Sequence, residues 1–280
     1  MASIDLRPMT LGEVLDKTFS LYRQNFLLFA GISALPYSLL MLFRFAMLVL
    51  TRSKVTGAAA GIGTSAAIGA AILAAFGGGL VALIMLGVAQ AATVSAVSDL
   101  YLGRETSVRA AYMLAKSMVL PVIAIIIMCF FVTVVGLFLL VIPGIILACR
   151  LAVSVPSSIV EQTSPIRSME RSMELTKGYA FQIFLLFALV LFITYAVAMM
   201  FQFPVIFLAI SAASAKRPLS IGATSYTYVA EFVSQVLVAP VGTIAASLMY
   251  YNLRVRKEGF DIQHLMSTLG PAQVQENRAI

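Results

Sequence analysis

Five long stretches of this chain contain no charged side chain, and they constrain its fold more than any other feature. They cover residues 24–43, 55–98, 117–149, 178–215 and 232–253. A helix needs roughly 20 apolar residues to cross the hydrocarbon core of a bilayer, so each stretch can supply at least one crossing. The residues do not alternate in polarity as the strands of a membrane barrel do. The sequence therefore predicts an all-α, polytopic transmembrane helical bundle.

Two of these stretches are too long for one crossing. The stretch 55–98 begins with residues rich in Gly, Ala and Ser, which we interpret as a loop, and 117–149 contains a turn signal at Ile142-Pro143-Gly144. Dividing 117–149 at that turn predicts six spans in all. Their expected positions are 26–50, 66–97, 118–141, 144–160, 181–210 and 232–252.

Six spans place both termini on the same side of the membrane. Thirteen of the 19 lysines and arginines fall on that side and four on the other, while Arg44 and Arg150 fall inside spans. Cytoplasmic loops carry the surplus of Lys and Arg, so both termini are predicted to be cytoplasmic, with the spans in the plasma (inner) membrane. We expect a single transmembrane domain over 1–260 and a disordered cytoplasmic tail over 261–280.

Composition limits the other classes of function. Hydrophobic residues make up 61% of the 280 positions and charged residues 11%, which leaves no stretch that reads as a separate soluble domain. The net charge of +7 follows from the bias of cytoplasmic loops towards Lys and Arg. Since no basic patch lies on a recognisable nucleic-acid-binding motif, nucleic acid is not an expected partner.

An amphipathic segment precedes the first, third and fifth predicted spans. The first segment opens with a capping box at Thr10 and Glu13, which predicts a helix start. Ser107 is the expected cap of the second, and Ser164-Pro165 is expected to open the third. The sequence thus predicts three amphipathic interfacial helices. They either anchor the bundle in the headgroup region or provide a docking surface for a protein partner.

The first and third of these helices resemble each other. Residues 15–23 and 169–177 agree in residue class at seven of nine positions, and the middle helix is a weaker relative. We interpret this as three units, each an interfacial helix followed by a two-span hairpin. Repeats of this kind occur in transporters and also arise in plain scaffolds.

Several segments of the chain resemble one known family. They are 9–19 (Met-Thr-Leu-Gly-Glu-Val-Leu-Asp-Lys-Thr-Phe), 22–26, 143–151, 168–177 and 250–261 (Tyr-Tyr-Asn-Leu-Arg-Val-Arg-Lys-Glu-Gly-Phe-Asp). The family is the bacterial proteins grouped with the glycerophosphoryl diester phosphodiesterase membrane domain, and the likeness covers essentially the whole chain. In the namesake enzymes this region is fused to a catalytic barrel with acidic metal ligands and a histidine pair. The sequence has no counterpart of that barrel, so the resemblance implies a fold and a location but no catalysis.

Arg150 is the most informative single residue. An ionisable side chain inside a span is costly and by default indicates function. We expect Arg150, Glu231 and Arg44 to form a polar cluster in the outer half of the bilayer. There Arg150 would pair with Glu231 or with a lipid phosphate. The alternative is a structural ion pair or an arginine that reaches to the interface.

Residues near the span ends predict how the bundle sits in the membrane. The chain has no tryptophan, so an interfacial aromatic belt must come from Tyr and Phe. The tyrosines expected in that belt include Tyr22, Tyr112, Tyr250 and Tyr251. The cations expected to fix orientation, with a weak attraction to anionic headgroups, are Arg254, Arg256 and Lys257.

These features predict a non-enzymatic membrane protein that organises a partner or responds to lipid. The alternative is a small-solute or lipid transporter built from the repeated hairpins. No nucleophile–base pair or metal set can be assembled from the single histidine, His264, and scattered carboxylates, so no cofactor is expected. The expected partners are membrane lipids and a soluble or membrane protein at the cytoplasmic helices. A water-accessible cavity lined by Arg150, Glu231 and Gln202 would favour transport, and a filled bundle would favour the scaffold.

Overall fold

The computed structural model describes residues 8–58, 64–214 and 220–259, and these ranges form helices and turns without a strand. The described helices are α1 (Leu11–Gln24), α2 (Phe26–Ala58), α3 (Thr64–Tyr101), α4 (Val108–Ala115), α5 (Val119–Leu139), α6 (Val141–Leu151), α7 (Ser154–Glu161), α8 (Pro165–Thr176), α9 (Ala180–Ser214) and α10 (Ile221–Glu258). Six helical segments are long and apolar enough to cross a membrane, counting α6 with α7 as one. The predicted all-α bundle is confirmed, while the predicted tail at 261–280 lies outside the described residues.

The order of helices repeats three times along the chain. Each unit has a short helix, an outer long helix and an inner helix: α1–α2–α3, then α4–α5–α6/α7, then α8–α9–α10. In the apolar windows of the inner helices 44–50% of the residues are buried, against 11–28% in the outer helices. The inner helices α3, α7 and α10 contact one another. This order agrees with the three units that the sequence predicts.

Each unit packs on the preceding unit in the same way. An outer helix lies between its own inner helix and that of the preceding unit: α2 contacts α10, α5 contacts α3, and α9 contacts α6. The short helices follow the same rule, with α1 on α10, α4 on α3, and α8 on α6 and α7. Because the first unit packs on the third, the three units close into a ring.

The predicted starts of the short helices are confirmed. The Thr10 hydroxyl accepts a hydrogen bond from the Glu13 amide at 3.4 Å, and the Glu13 carboxylate accepts one from the Thr10 amide at 2.6 Å. The Ser107 hydroxyl accepts from an amide in the first turn of α4 at 3.2 Å. α8 begins at Pro165, with Ser164 as its N-cap residue. The side-chain caps satisfy amides that have no partner within the helix.

The predicted turn at 142–144 is wrong. α5 ends at Leu139, and a single extended residue, Leu140 (φ −159°, ψ 133°), connects it to α6. Pro143 therefore lies in the first turn of α6. Backbone N–H groups in the first turn have no partner within the helix, so the N–H that proline lacks is not missed there. The loop expected at 56–65 is wrong at both ends, because α2 continues to Ala58 and α3 begins at Thr64, while residues 59–63 lie outside the described ranges.

Hydroxyl groups of the short helices pair with carbonyls in the long ones. Pro36 lies inside α2 and lacks the N–H that would bind the carbonyl of Ile32. The Tyr112 hydroxyl of α4 donates a hydrogen bond to that carbonyl. Burial raises the pKa of Tyr112 to about 12, so the hydroxyl keeps its proton at neutral pH. This bond fixes the second unit to the first.

The other two junctions between units use the same chemistry. The Tyr22 hydroxyl of α1 donates at 2.7 Å to the carbonyl of Leu237, three residues before a proline inside α10. Where the fourth span is interrupted between α6 and α7, the Arg150 carbonyl accepts from the Ser172 and Thr176 hydroxyls of α8 at 2.7 and 3.1 Å. A buried polar group without a partner costs roughly 1–3 kcal/mol, so each bond helps to hold a short helix on the preceding unit.

Candidate functional site

Arg44 and Glu231 form an ion pair between α2 and α10. The two side chains are 34% and 32% exposed, so each remains partly accessible at the surface of the bundle. A cavity of about 10 Å³ beside the pair, with Tyr37 and Tyr228 in its wall, has room for about one water molecule. This part of the predicted cluster joins two helices beside a small space.

The ion pair belongs to a small packed region that is separate from the main core. The main core includes Ile32 of α2 and Val241 of α10, and the small region includes Tyr37. In both helices the boundary falls at a proline, Pro36 in α2 and Pro240 in α10. Helices bend most readily at proline, so the far ends of α2 and α10 form a region that the ion pair holds together.

Arg150 lies far from the other two residues of the predicted cluster. Its Nη2 donates to the Met173 carbonyl of α8 at 3.3 Å. One residue further along α8, the Glu174 carbonyl accepts from Lys257 at the end of α10 at 2.6 Å. Glu231 precedes Lys257 by 26 residues in the continuous helix α10, which is about 39 Å at 1.5 Å per residue. The predicted pairing of Arg150 with Glu231 is therefore wrong.

The described residues leave part of the Arg150 guanidinium unused. Its Nε is buried without a hydrogen-bond partner. Its hydrogen bond to Met173 goes to a neutral carbonyl, and no carboxylate in the part of the chain that the structure describes forms an ion pair with it. A part-buried guanidinium without a counter-charge is unfavourable. Arg150 therefore carries a charge that no carboxylate among the described residues neutralises.

A second polar cluster, which sequence reasoning missed, joins α7, α8 and α10. Arg171 donates through Nε to both carboxylate oxygens of Glu161 at 3.0 and 3.2 Å, and it pairs with Glu258. The Tyr250 hydroxyl donates to Glu161 at 2.8 Å, and Arg254 donates to Glu258 at 3.2 Å. We call these five residues the Arg171 network. Burial opposes the charge of Arg171, but the two carboxylates outweigh it and raise the pKa of Arg171.

The end of α10 also holds the N-terminal segment in place. The side-chain amide of Asn252 accepts from the Met9 N–H at 2.8 Å and donates to the Met9 carbonyl at 3.1 Å. Arg256 donates to the same carbonyl at 2.7 Å. Lys257 donates to two carbonyls at the end of α8, where a cation complements the helix dipole. These side chains join α10 to its neighbours. The sequence predicts only that Arg256 and Lys257 fix the orientation in the membrane, and it does not predict these contacts.

The predicted belt position of Tyr250 and Tyr251 is also wrong, because both rings are buried. A local signal for the network does exist in the sequence. Tyr250, Arg254 and Glu258 are spaced by four residues and therefore share one face of α10. Their partner Glu161 precedes Tyr250 by 89 residues, so spacing along one helix cannot identify it.

By its fold the chain is a multi-pass membrane protein of the all-α class. No family model, curated protein or solved structure matches it. The resemblance to the glycerophosphoryl diester phosphodiesterase membrane domain thus stays a prediction. Within 8–58, 64–214 and 220–259, no group of three or more His, Cys, Asp or Glu side chains could hold a metal ion.

Proposed function

We propose that this chain is a non-enzymatic plasma-membrane protein, with cytoplasmic termini, that responds to anionic lipid and organises a partner at its short helices. The distribution of Lys and Arg supports this orientation. The ion-paired carboxylates Glu161, Glu231 and Glu258 support a structural role rather than catalysis. The resemblance to a stand-alone membrane domain agrees with this proposal.

The observation that carries the lipid response is the outward face of α4. Ala111 and Ala115 of this helix are buried against the bundle, whereas Met113 and Leu114 are exposed. The exposed cations Arg109 and Lys116 flank these apolar side chains. A helix that combines exposed apolar side chains with cations fits the headgroup layer of an anionic membrane. Each cation near such a surface contributes about 1 kcal/mol of attraction.

The outward face of α8 has a different character and suits a protein partner. A polar depression of about 330 Å³ lies there, with Arg167, Glu170 and Glu174 in its wall. Both signs of charge alternate along this face, and such a pattern gives specificity towards a complementary protein surface. Lipid contact at α4 and partner contact at α8 would then share one side of the bundle.

Thermal unfolding in nanodiscs tests the lipid response. We expect phosphatidylglycerol to raise the unfolding temperature of the wild type above its value in phosphatidylcholine. The variant Arg109→Gln/Lys116→Gln should lose most of this increase, because about 2 kcal/mol of surface attraction is removed. Glu105→Gln, an exposed charge of opposite sign beside α4, is the control and should keep the increase. An identical lipid effect in all three proteins would reject the proposal.

The alternative function, a transporter, is favoured by the threefold repeat and the interrupted helices, which are features of transporter folds. The small size of the cavity at Arg44 and Glu231, about 10 Å³, favours the scaffold instead. A scrambling assay with a fluorescent phospholipid in proteoliposomes separates the two. A rate equal to that of protein-free liposomes agrees with the scaffold, and a faster rate supports lipid transport.

A further inference from the structure

We propose that the Arg44–Glu231 pair is a latch that closes the junction between the first and third units at their far ends, away from the short helices. When the pair is broken, the segment of α2 after Pro36 and the segment of α10 before Pro240 bend apart and open this junction sideways. The main core on the side of the short helices stays closed. This inference does not depend on the lipid response of α4, so either can fail alone.

In the part of the chain that the structure describes, the far ends of α2 and α10 share few buried residues. The buried members of their cluster are Tyr37 and Leu40 of α2 and Ala89 of α3, and Val236 and Ala239 of α10 pack against them while only partly buried. The main core draws instead on all three units. A region with few buried apolar contacts opens at a lower free energy than the rest of a protein. The junction is therefore weakest at the far ends.

A proline marks the boundary between the two packed regions in both helices. Pro36 of α2 and Pro240 of α10 each lack the N–H that would complete the hydrogen bonds of the helix. The carbonyl of Ile32, which Pro36 leaves without its helical donor, is bound by the Tyr112 hydroxyl of α4. This bond holds the main-core half of α2 in place. Since helices bend most readily at proline, bending is concentrated where the far ends begin.

Two side-chain contacts join the far ends across the junction. Arg44 pairs with Glu231, and the rings of Phe45 and Tyr228 meet edge to face with their centroids 5.4 Å apart. The ion pair is the decisive contact, because removal of one partner leaves the other charge unpaired in an apolar environment. Both charged side chains are partly exposed, so an unpaired Arg44 can extend along the surface of the bundle towards the headgroups. That movement draws α2 away from α10.

The size of the opening follows from the length of α2 beyond its proline. Val49 lies about 20 Å beyond Pro36 along the helix axis. A bend of about 20° at Pro36, the lower end of a sharp kink, moves Val49 by about 7 Å. Such a movement would expose Ala82 and Met85 of α3, which pack behind the two far ends.

Distances between two spin labels, measured by pulsed electron paramagnetic resonance on the full chain in nanodiscs, test the latch. Labels at Val49→Cys and Ile221→Cys, in a background without the two native cysteines, report across the far ends, since these positions are 65% and 60% exposed. We expect one distance when the pair is intact and, in Glu231→Gln, a second population about 7 Å longer. The exchanged pair Arg44→Glu/Glu231→Arg should restore the single distance, which separates loss of the ion pair from misfolding.

A second pair of labels is the matched control. Leu27→Cys and Phe181→Cys, at positions 83% and 72% exposed, report the first and third units on the side of the short helices. Their distance should not change in Glu231→Gln, because the main core stays closed. A single, unchanged distance across the far ends in Glu231→Gln would overturn the latch. An equal lengthening in both pairs of labels would overturn the bending at proline, because the two units would then separate as whole bodies.

Discussion

At the scale of single residues, the buried polar groups of this bundle are joined across units by hydrogen bonds to the backbone. Asn252 holds the N–H and the carbonyl of Met9 together. Tyr112 and Tyr22 pair with carbonyls near prolines in α2 and α10. In an apolar environment each such bond matters because the alternative is an unsatisfied group. Single substitutions that remove one partner are therefore sensitive tests of the packing.

Asn252→Leu should lower the free energy of unfolding by about 1–3 kcal/mol, because it leaves the Met9 N–H unpaired and the Met9 carbonyl with Arg256 as its remaining donor. The N-terminal segment should also become more accessible to limited proteolysis. Asn25→Leu is the control, since the Asn25 amide donates only to Leu21 in its own helix. Equal losses of stability in the two variants, measured by denaturant unfolding in detergent, would contradict the role of Asn252.

Tyr112→Phe in the otherwise wild-type chain should lower the free energy of unfolding by about 1–3 kcal/mol, because the Ile32 carbonyl loses its hydrogen-bond donor. In a Pro36→Ala background the restored amide can pair with that carbonyl, so the cost of Tyr112→Phe should fall towards zero. Tyr195→Phe is the control, because Tyr195 is 62% exposed on α9. The double-mutant cycle is read from unfolding free energies. An equal cost in both backgrounds would contradict the pairing.

At the scale of helices, the short helices are the parts that connect one unit to the next. α8 is the clearest case, since its hydroxyls bind α6 and its Arg171 network binds α7 and α10. Its buried side carries Ser168, Ser172 and Thr176 as well as apolar residues. The helix is thus held by polar bonds as much as by apolar packing. Loss of these bonds should loosen α8 before the long helices unfold.

Arg171→Gln should destabilise the protein by about 1–2 kcal/mol, because it leaves Glu161 and Glu258 without their shared guanidinium. The expected value is at the low end since the guanidinium is partly exposed and its charge is screened. Arg167→Gln, an exposed position on the same helix, should change stability little. Hydrogen exchange of α8 should become faster in Arg171→Gln only. If α8 exchanged as slowly in Arg171→Gln as in the wild type, the stabilising role of the Arg171 network would be contradicted.

Local signals predicted the helices well and the contacts between them poorly. The starts of α1 and α4 follow from caps between residues three positions apart, and α8 begins at a proline, so the sequence was sufficient for all three. Pro143 was misread because proline marks both turns and the first turn of a helix. The partners of Arg150 and Glu231 lie on distant segments. Their depth in the predicted spans suggested one cluster, whereas the interruption between α6 and α7 brings Arg150 to α8.

At the scale of the whole molecule, three similar units form a closed ring with their short helices on one side. Each unit packs on the preceding one, and α1 of the first unit contacts α10 of the third. The ring explains why the N-terminal segment and the end of α10 are bound to each other. It also places α1, α4 and α8 on the same side of the bundle, which we propose is the cytoplasmic side because of the distribution of Lys and Arg.

Labelling of single cysteines tests this arrangement in a background without Cys129 and Cys149. We expect Ser220→Cys, at the start of α10 and far from the short helices, to react with a membrane-impermeant maleimide in intact cells. Arg104→Cys, in the turn before α4, should react only after the cells are permeabilised. Reaction of Arg104→Cys in intact cells would place the short helices outside and reverse the orientation.

The proposal that the short-helix side responds to anionic lipid is tested most directly by hydrogen exchange in nanodiscs. The amides of α4 should exchange more slowly in nanodiscs that contain phosphatidylglycerol than in phosphatidylcholine alone, since the cations and exposed apolar side chains of α4 would then be held at the headgroups. The Arg109→Gln/Lys116→Gln variant should show no such difference. Identical exchange of α4 in the two lipids, in the wild type, would contradict a lipid response at this surface.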